Sequence, residues 1–375
     1  MNPSEFVQRL QGEYKVPAEF RKLFSVHLDT TRHALKHLPD STRNQLEDVP
    51  ILLLPTGDIN AWGAITDEDE AYIIIEAALI LLFDAFTILF SHDLWFGKGK
   101  DERYERLLEK TQLLLDLIVC LLAGDYDRYL ATSNQLPQYA SEKSLEAPFR
   151  LALMRSMLCF LVGHEYGHMA LGHFGSLRGK RLGGSDQELR IRERHQQEEL
   201  DADEWGVHFA TSWLDPAKLS EQYQYLISLA QSKAEVGRFK GEEFLRDVFQ
   251  RAAPHVFMSL VGLVNYCEEE FDRCVSAAIG VMTSSDIGRR LRERLRGQHS
   301  LYPTARQRHA RIQRATCIDQ HLDDLRIAVN VAQITERIIY GLDRDLLSRD
   351  TMIELIRKRL MKYPNDILDV PVVDL

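Results

Sequence analysis

Two histidines four residues apart, within an apolar stretch, constrain the fold of this chain more than any other feature. Residues 158–174 read LCFLVGHEYGHMALGHF, and His164, Glu165 and His168 form an HExxH pattern at the centre. Residues four apart lie on one face of an α-helix, so both imidazoles can bind one metal ion. Glu165 lies about 100° around the helix from His164, where it can reach a metal-bound water without being a ligand. The pattern predicts a zinc site on a buried helix, although two hydrogen-bonded core histidines would produce the same pattern.

Two histidines leave a zinc ion one protein ligand short, so a second element must supply another. Residues 189–213 are predicted to form a second helix, on which Glu199 and Asp203 share a face. We predict that Glu199 is the third ligand and that Asp203 accepts the free ring N–H of a ligand histidine. The small residues Ala202 and Gly206 would let this helix pack closely against the first.

The second helix carries further acids beside the predicted ligand. Glu198 is the alternative third ligand. Asp201 and Glu204, like Glu198, also fit an ordinary solvated helix face, on which charged residues are usual.

The spacing excludes two other arrangements of metallopeptidase ligands. A metzincin would need glycine at position 171 and histidine at 174, where the chain has Leu171 and Phe174. Gly172 and His173 are each one place off, and the inverted HxxEH pattern is absent. His173 is about 140° around the helix from His168, and we predict that it lies at the helix end or contacts a ligand histidine.

The sequence HEYGH, followed by EELDAD, resembles the gluzincin metallopeptidases. Within them it is similar to the CAAX-prenyl-protease-like group, whose ligand glutamate sits in an E-x-x-A-D run like residues 199–203. It is also similar to the Lit-type phage-exclusion peptidases. Residues 60–64, NAWGA, resemble the NAFA strand of those families, and Ser300 to Arg308 resembles their S-T-H-P-x-x-x-x-R segment, with Tyr302 in place of the histidine.

The resemblance implies a catalytic site of the gluzincin type. Zn²⁺ would be held by His164, His168 and Glu199, with Glu165 as the general base. Tyr302 is the predicted donor to the oxyanion, with His299 and Arg308 as alternatives.

Composition and charge limit the partners that the chain can have. The 375 residues are 45% apolar and 27% charged, with a net charge of −10, which argues against general affinity for nucleic acid or anionic membranes. Five cysteines without CxxC spacing, together with a polar N-terminus, lead us to expect reduced thiols in the cytoplasm. Nine arginines and one acid in residues 289–314 form either a solvated helix or a surface for an acidic partner.

The predicted fold class is α+β and mostly α. Residues 48–55, 60–66 and 72–75 are predicted strands, and the apolar run at 77–89 is predicted to be a buried helix rather than a membrane span. Residues 174–187 are predicted to be a loop, with a lid as the alternative. We expect an N-terminal helical segment (1–48), a gluzincin-like core carrying both ligand helices (49–214) and a helical C-terminal region packed on the core (215–375).

The predicted function is that of a soluble zinc endopeptidase acting on a protein or peptide substrate, which could serve a regulatory role. The alternative is a helical regulatory or interaction protein with a structural or vestigial zinc site. A structural site would have four protein ligands, with His173 or His208 as the spare candidates. The sequence carries no indication of the oligomeric state.

Overall fold

A computed structural model describes the part of the chain that surrounds the HExxH pattern. The remaining residues, including most of the predicted regions 1–48 and 215–375, lie outside the description. The described residues are 25, 35–36, 38–54, 59–65, 71–96, 102–123, 125–138, 146–173, 177–181, 188–192, 196–212, 253–265, 267, 307–308 and 311–312.

Five strands form one mixed sheet, with the order β1-β3-β2-β5-β4. Parallel pairing joins β1 to β3, with Leu53 opposite Ile75, while β2 lies antiparallel to β3 and to β5. Strands β4 and β5 pair with each other in antiparallel register. The bounds are β1 (Ile51–Leu54), β2 (Ala61–Ile65), β3 (Ala71–Glu76), β4 (Leu177–Arg181) and β5 (Glu188–Arg192).

Helices account for most of the described residues, so the fold is α+β and mostly α, as predicted. A 3₁₀ turn, Leu136–Gln138, follows the helix that ends at Ser133, and residues 253–265 are also helical. The other helices are α1 (Asp40–Leu46), α2 (Ala77–Phe96), α3 (Glu102–Leu122), α4 (Tyr126–Ser133), α5 (Glu146–Ala170) and α6 (Gln196–Ser212).

The strongly apolar run that begins at Tyr72 divides into a strand and a buried helix, as predicted. Strand β3 ends at Glu76, which is fully buried, and α2 begins at the next residue. Asp84 is half-buried on α2; burial raises its pKa and the charge of Arg150 partly opposes this. Within the described ranges, we find no helix with the length and apolar character needed to cross a membrane.

The core lies between the sheet and the helices α2, α3 and α5. Residues of the 253–265 helix also contribute to it, because the ring of Phe257 contacts Phe83 of α2 and Phe160 of α5 at centroid distances of 5.6 and 5.2 Å. The HExxH helix is therefore covered on several sides by apolar groups, which holds it rigidly.

The segment between the two ligand helices differs from the prediction. A β-hairpin made of β4 and β5 extends the sheet from β2, where the sequence had predicted a loop up to residue 187 and a helix from 189. Helix α6 begins later than predicted, at Gln196. Leu189 and Ile191 alternate with charged residues, which is a strand pattern that could have indicated β5.

Candidate metal centre

Helices α5 and α6 pack against each other at very short range. A β-carbon added at Gly206 would lie 3.0 Å from the carbonyl oxygen of Phe160, and one at Gly163 would lie 2.7 Å from Cβ of Phe209. Ala202 is fully buried in the same interface. The prediction that small residues allow the second helix to approach the first is therefore confirmed, and this approach brings the ligand side chains together.

The structure brings the three predicted ligands into one buried group. The Nε2 atoms of His164 and His168 are 3.2 Å apart. Glu199 Oε2 lies 3.4 Å from Nε2 of His164, and Oε1 lies 3.6 Å from Nε2 of His168. Each of the three residues is at most 4% exposed, and together they could hold a metal ion.

These separations fit the donor set of a tetrahedral zinc ion. Zinc bonds of about 2.0–2.1 Å to nitrogen and oxygen place neighbouring ligand atoms about 3.3–3.4 Å apart at tetrahedral angles. The three measured distances, 3.2, 3.4 and 3.6 Å, bracket that value. Two imidazoles and a carboxylate are also a common set of zinc ligands. The residues therefore fit a divalent metal ion such as zinc.

Neither family models nor curated proteins nor solved structures match this chain.

Asp203 lies behind His164, on the side away from the other ligands. Its Oδ1 is 3.0 Å from Nδ1 of His164, so Asp203 lies where the sequence predicted it, but the predicted hydrogen bond from the ring N–H is not formed. The ring N–H does not point straight at this oxygen, and Nδ1 lacks a hydrogen bond of good geometry, so the contact is mainly electrostatic. Such a contact turns Nε2 of His164 toward the ligand group.

Arg308 reaches Asp203 from a segment 105 residues further along the chain. Its Nε donates to Oδ2 of Asp203 at 2.8 Å and its Nη2 donates to Oδ1, which makes the pair bidentate. The guanidinium also lies 3.9 Å from Oε2 of Glu199. The sequence had indicated Arg308 as a group that could stabilise an oxyanion, but the structure places it against the carboxylate that orients His164.

The pKa values reflect the mutual attraction of these buried charges. Burial opposes the charged form of His164, but the close contacts and charges of Asp203 and Glu199 outweigh it and raise its pKa to about 9. Burial would raise the pKa of Asp203, but Arg308 and His164 lower it below its usual range. The pKa of Arg308 is raised in spite of its burial, chiefly by Asp203. In the metal-free protein, the His164 ring is therefore in its charged form at neutral pH, with a proton on each nitrogen.

His168 has a different partner behind its ring. Its Nδ1 lies 3.1 Å from Nδ1 of His173, and the two ring centroids are 5.2 Å apart. The prediction that His173 lies at the helix end or contacts a ligand histidine is confirmed on both counts.

Glu165 follows His164 on α5 and is buried, with 2% exposure. Its charge contributes to the raised pKa of Arg308, which places the two groups within electrostatic reach. Tyr302 and His299, the other predicted contributors to oxyanion binding, lie outside the described residues, so their roles remain predictions.

The described residues bring the three predicted ligand side chains together, and neither spare histidine joins them. His208 is exposed on α6, while His173 contacts the Nδ1 side of His168 rather than Nε2. Glu198, the alternative third ligand, is also outside the group. Three protein ligands are the number that catalytic zinc sites use, because a fourth position must remain for water or substrate.

Proposed function

We propose that the chain is a zinc-dependent endopeptidase of the gluzincin type, which hydrolyses a peptide bond in a restricted protein target. The observation that supports this best is the convergence of His164, His168 and Glu199 beside the buried carboxylate of Glu165. A structural zinc site would need a fourth protein ligand and would have no use for a buried base.

The chemistry requires a metal, a base and a fixed geometry. Zinc held by these ligands would lower the pKa of a water molecule toward neutrality and polarise the substrate carbonyl. The Glu165 carboxylate accepts a proton from the water as its oxygen attacks the carbonyl carbon. Glu165 then delivers that proton to the amide nitrogen, the C–N bond breaks, and a carboxylate and an amine are released.

Other residues would support this chemistry from a distance. Asp203 holds the ring of His164, and Arg308 neutralises the buried charge of Asp203. Tyr302 remains the predicted oxyanion donor. The close packing of α5 against α6 keeps the ligands in place, since catalytic geometry tolerates only small displacements.

The decisive test compares the wild-type chain with Glu165→Gln, which keeps the shape of the side chain and removes the base. Both proteins are loaded with zinc and incubated with a proteome-derived peptide library, and new termini are identified by mass spectrometry. We expect equal zinc content and a loss of turnover of about 10²–10⁴-fold in the variant. Glu198→Gln is the matched control and should cleave the same peptides as the wild type.

Two results would contradict the proposal. Undiminished cleavage by Glu165→Gln would show that this carboxylate is not the base. A wild-type chain that binds one zinc and cleaves no peptide or protein would favour the alternative of a structural metal in an interaction protein.

A further inference from the structure

Helix α5 ends in a turn that connects His173 to His168 through the backbone. Gly172 has φ of 66°, a left-handed conformation that favours glycine. The N–H of His173 donates to the carbonyl of His168 at 2.9 Å, and the N–H of Gly172 donates to the carbonyl of Met169 at 3.1 Å. This pair of bonds is the Schellman motif. It folds the chain back so that His173 is next to a predicted metal ligand.

In Schellman motifs, the two residues joined by the longer bond frequently also make an apolar side-chain contact. Here that contact is between two imidazoles, with Nδ1 of His173 3.1 Å from Nδ1 of His168. Two ring nitrogens at this distance share one hydrogen, so one ring donates and the other accepts. The contact therefore couples the tautomers of the two rings: when Nδ1 of one ring carries the hydrogen, the other ring carries its hydrogen on Nε2.

We propose that His173 is a positioning residue that fixes the tautomer and the ring orientation of His168, so that the Nε2 lone pair of His168 faces Glu199 and His164. The inference rests on the metal-binding part of the proposed function. It assigns the proton to Nδ1 of His168, which donates to Nδ1 of His173. The proton of His173 is then on its own Nε2.

The two ligand histidines are thus held by unlike partners. A carboxylate, Asp203, lies behind His164, whereas a second imidazole, that of His173, lies behind His168. Carboxylates and carbonyls are the usual partners of metal-bound histidines. The turn at Gly172 supplies the partner of His168 from the same helix, without using another element of the fold.

Three substitutions at position 173 separate hydrogen bonding from simple space filling. In His173→Asn, the amide oxygen is two bonds from Cβ, as Nδ1 is in histidine, so an acceptor stays at a similar position. His173→Gln places its oxygen one bond further away, and His173→Ala removes the acceptor. We expect zinc affinity, measured by competition with a chromophoric chelator, to fall about 10–100-fold in the Gln and Ala variants and to stay within about threefold of wild type in the Asn variant.

A second measurement needs no metal. Selective ¹⁵N-histidine labelling and long-range ¹H–¹⁵N spectra of the metal-free full chain report the tautomer of each ring. We expect His168 to be protonated at Nδ1 in the wild type and in His173→Asn, and to shift toward the Nε2–H form in His173→Ala. Thermal unfolding of the metal-free variants shows whether the fold is kept.

The outcomes distinguish this inference from the proposed function. Equal zinc affinity and an unchanged His168 tautomer in His173→Ala would overturn the role of His173, whether or not the chain cleaves peptides. An affinity loss of the same size in the Asn and Ala variants would also overturn it, since a hydrogen-bond acceptor would then be irrelevant. Zinc binding without peptide cleavage would overturn the peptidase function and leave the positioning role supported by the affinity series.

Discussion

Helix α6 carries carboxylates on two faces, and the two faces behave as different chemical environments. The buried face holds Glu199 and Asp203, whose side chains are 3% and 0% exposed. The exposed face holds Asp201 and Glu204, whose side chains are 35% and 40% exposed. All four residues lie on the same helix with the same charge. Burial rather than residue type therefore decides which acids can hold a metal or orient its ligands.

Each face is paired with an arginine from one short C-terminal stretch. Arg308 makes the bidentate pair with Asp203, and its side chain is 13% exposed. Arg311 contacts Glu204 at 2.6 Å and Asp201 at 3.2 Å, with 28% exposure. The two arginines are three residues apart, so they provide matched substitutions for testing the comparison.

The largest expected difference is in stability. Arg308→Ala would remove the bidentate partner of the buried Asp203 carboxylate, which should cost about 3–5 kcal/mol of unfolding free energy. Arg311→Ala removes a pair that water already screens and should cost about 0–1 kcal/mol. Chemical denaturation of the two metal-free variants measures both values. Equal losses of stability in the two variants would show that the two faces of α6 do not differ in this way.

The next difference is in metal affinity. Glu199→Gln removes the predicted anionic ligand and should weaken zinc binding by more than about 100-fold, a larger effect than the loss of a group behind a ligand. Glu198→Gln makes the same change one residue away, outside the ligand group, and should stay within about twofold of wild type. Chelator competition at fixed pH measures both. A stronger effect at Glu198 would identify it as the ligand.

A smaller effect is the pH dependence of zinc affinity, which arises because the buried acids raise the pKa of His164. Because the pKa of His164 is raised from 6.5 to about 9, zinc must displace a proton from this ring at neutral pH. Apparent zinc affinity should therefore rise about tenfold per pH unit from pH 7 toward 9. In the metal-free protein, the stability that this proton contributes is full below pH 6.5 and is lost as the pH rises through 9.

Substitution of Asp203 should flatten that dependence. Asp203→Asn removes a cause of the raised pKa of His164, so the affinity should level off at a lower pH than in the wild type. Asp201→Asn, on the exposed face, should leave the profile unchanged. Calorimetric titrations with zinc in buffers of different ionisation enthalpy count the protons released. Release of the same number by Asp203→Asn and wild type at pH 7.5 would contradict the electrostatic account of His164.

The smallest expected effect is the change in stability when an acid on the exposed face of α6 is substituted. Asp201→Asn and Glu204→Gln should each change the unfolding free energy by less than about 0.5–1 kcal/mol, as expected for solvated charges. Thermal or chemical unfolding detects larger changes. A loss above about 2 kcal/mol would show that these acids are not simply solvated.

The sequence was sufficient to predict those parts of the site that depend on the spacing of residues along a helix. The i, i+4 pairs His164/His168 and Glu199/Asp203 fix which side chains share a helix face, and Ala202 and Gly206 indicated the close packing that brings the faces together. The strands around Trp62 and Ile74 followed from short apolar runs. These features depend only on neighbours within a few residues.

The sequence could not reveal contacts that depend on the tertiary fold. Arg308 lies 105 residues from Asp203, and any of the nine arginines in residues 289–314 could have paired with a buried acid. The β4–β5 hairpin was missed because its basic and glycine-containing first strand has little apolar alternation, and its partner in the sheet is set by three-dimensional position. The ring contact of His173 depends on the left-handed turn at Gly172, which helix periodicity does not describe.

If His164, His168 and Glu199 hold one metal ion, an X-ray absorption spectrum at the zinc edge will report their donor atoms directly. For the full chain loaded with one equivalent of zinc, we expect nitrogen and oxygen ligands at about 2.0–2.1 Å, with scattering from two imidazole rings and no sulfur at about 2.3 Å. Glu199→Gln should lose this spectrum or the metal itself, and Glu198→Gln should retain both. A wild-type chain that retains no zinc, or one whose zinc has sulfur ligands, would contradict the account.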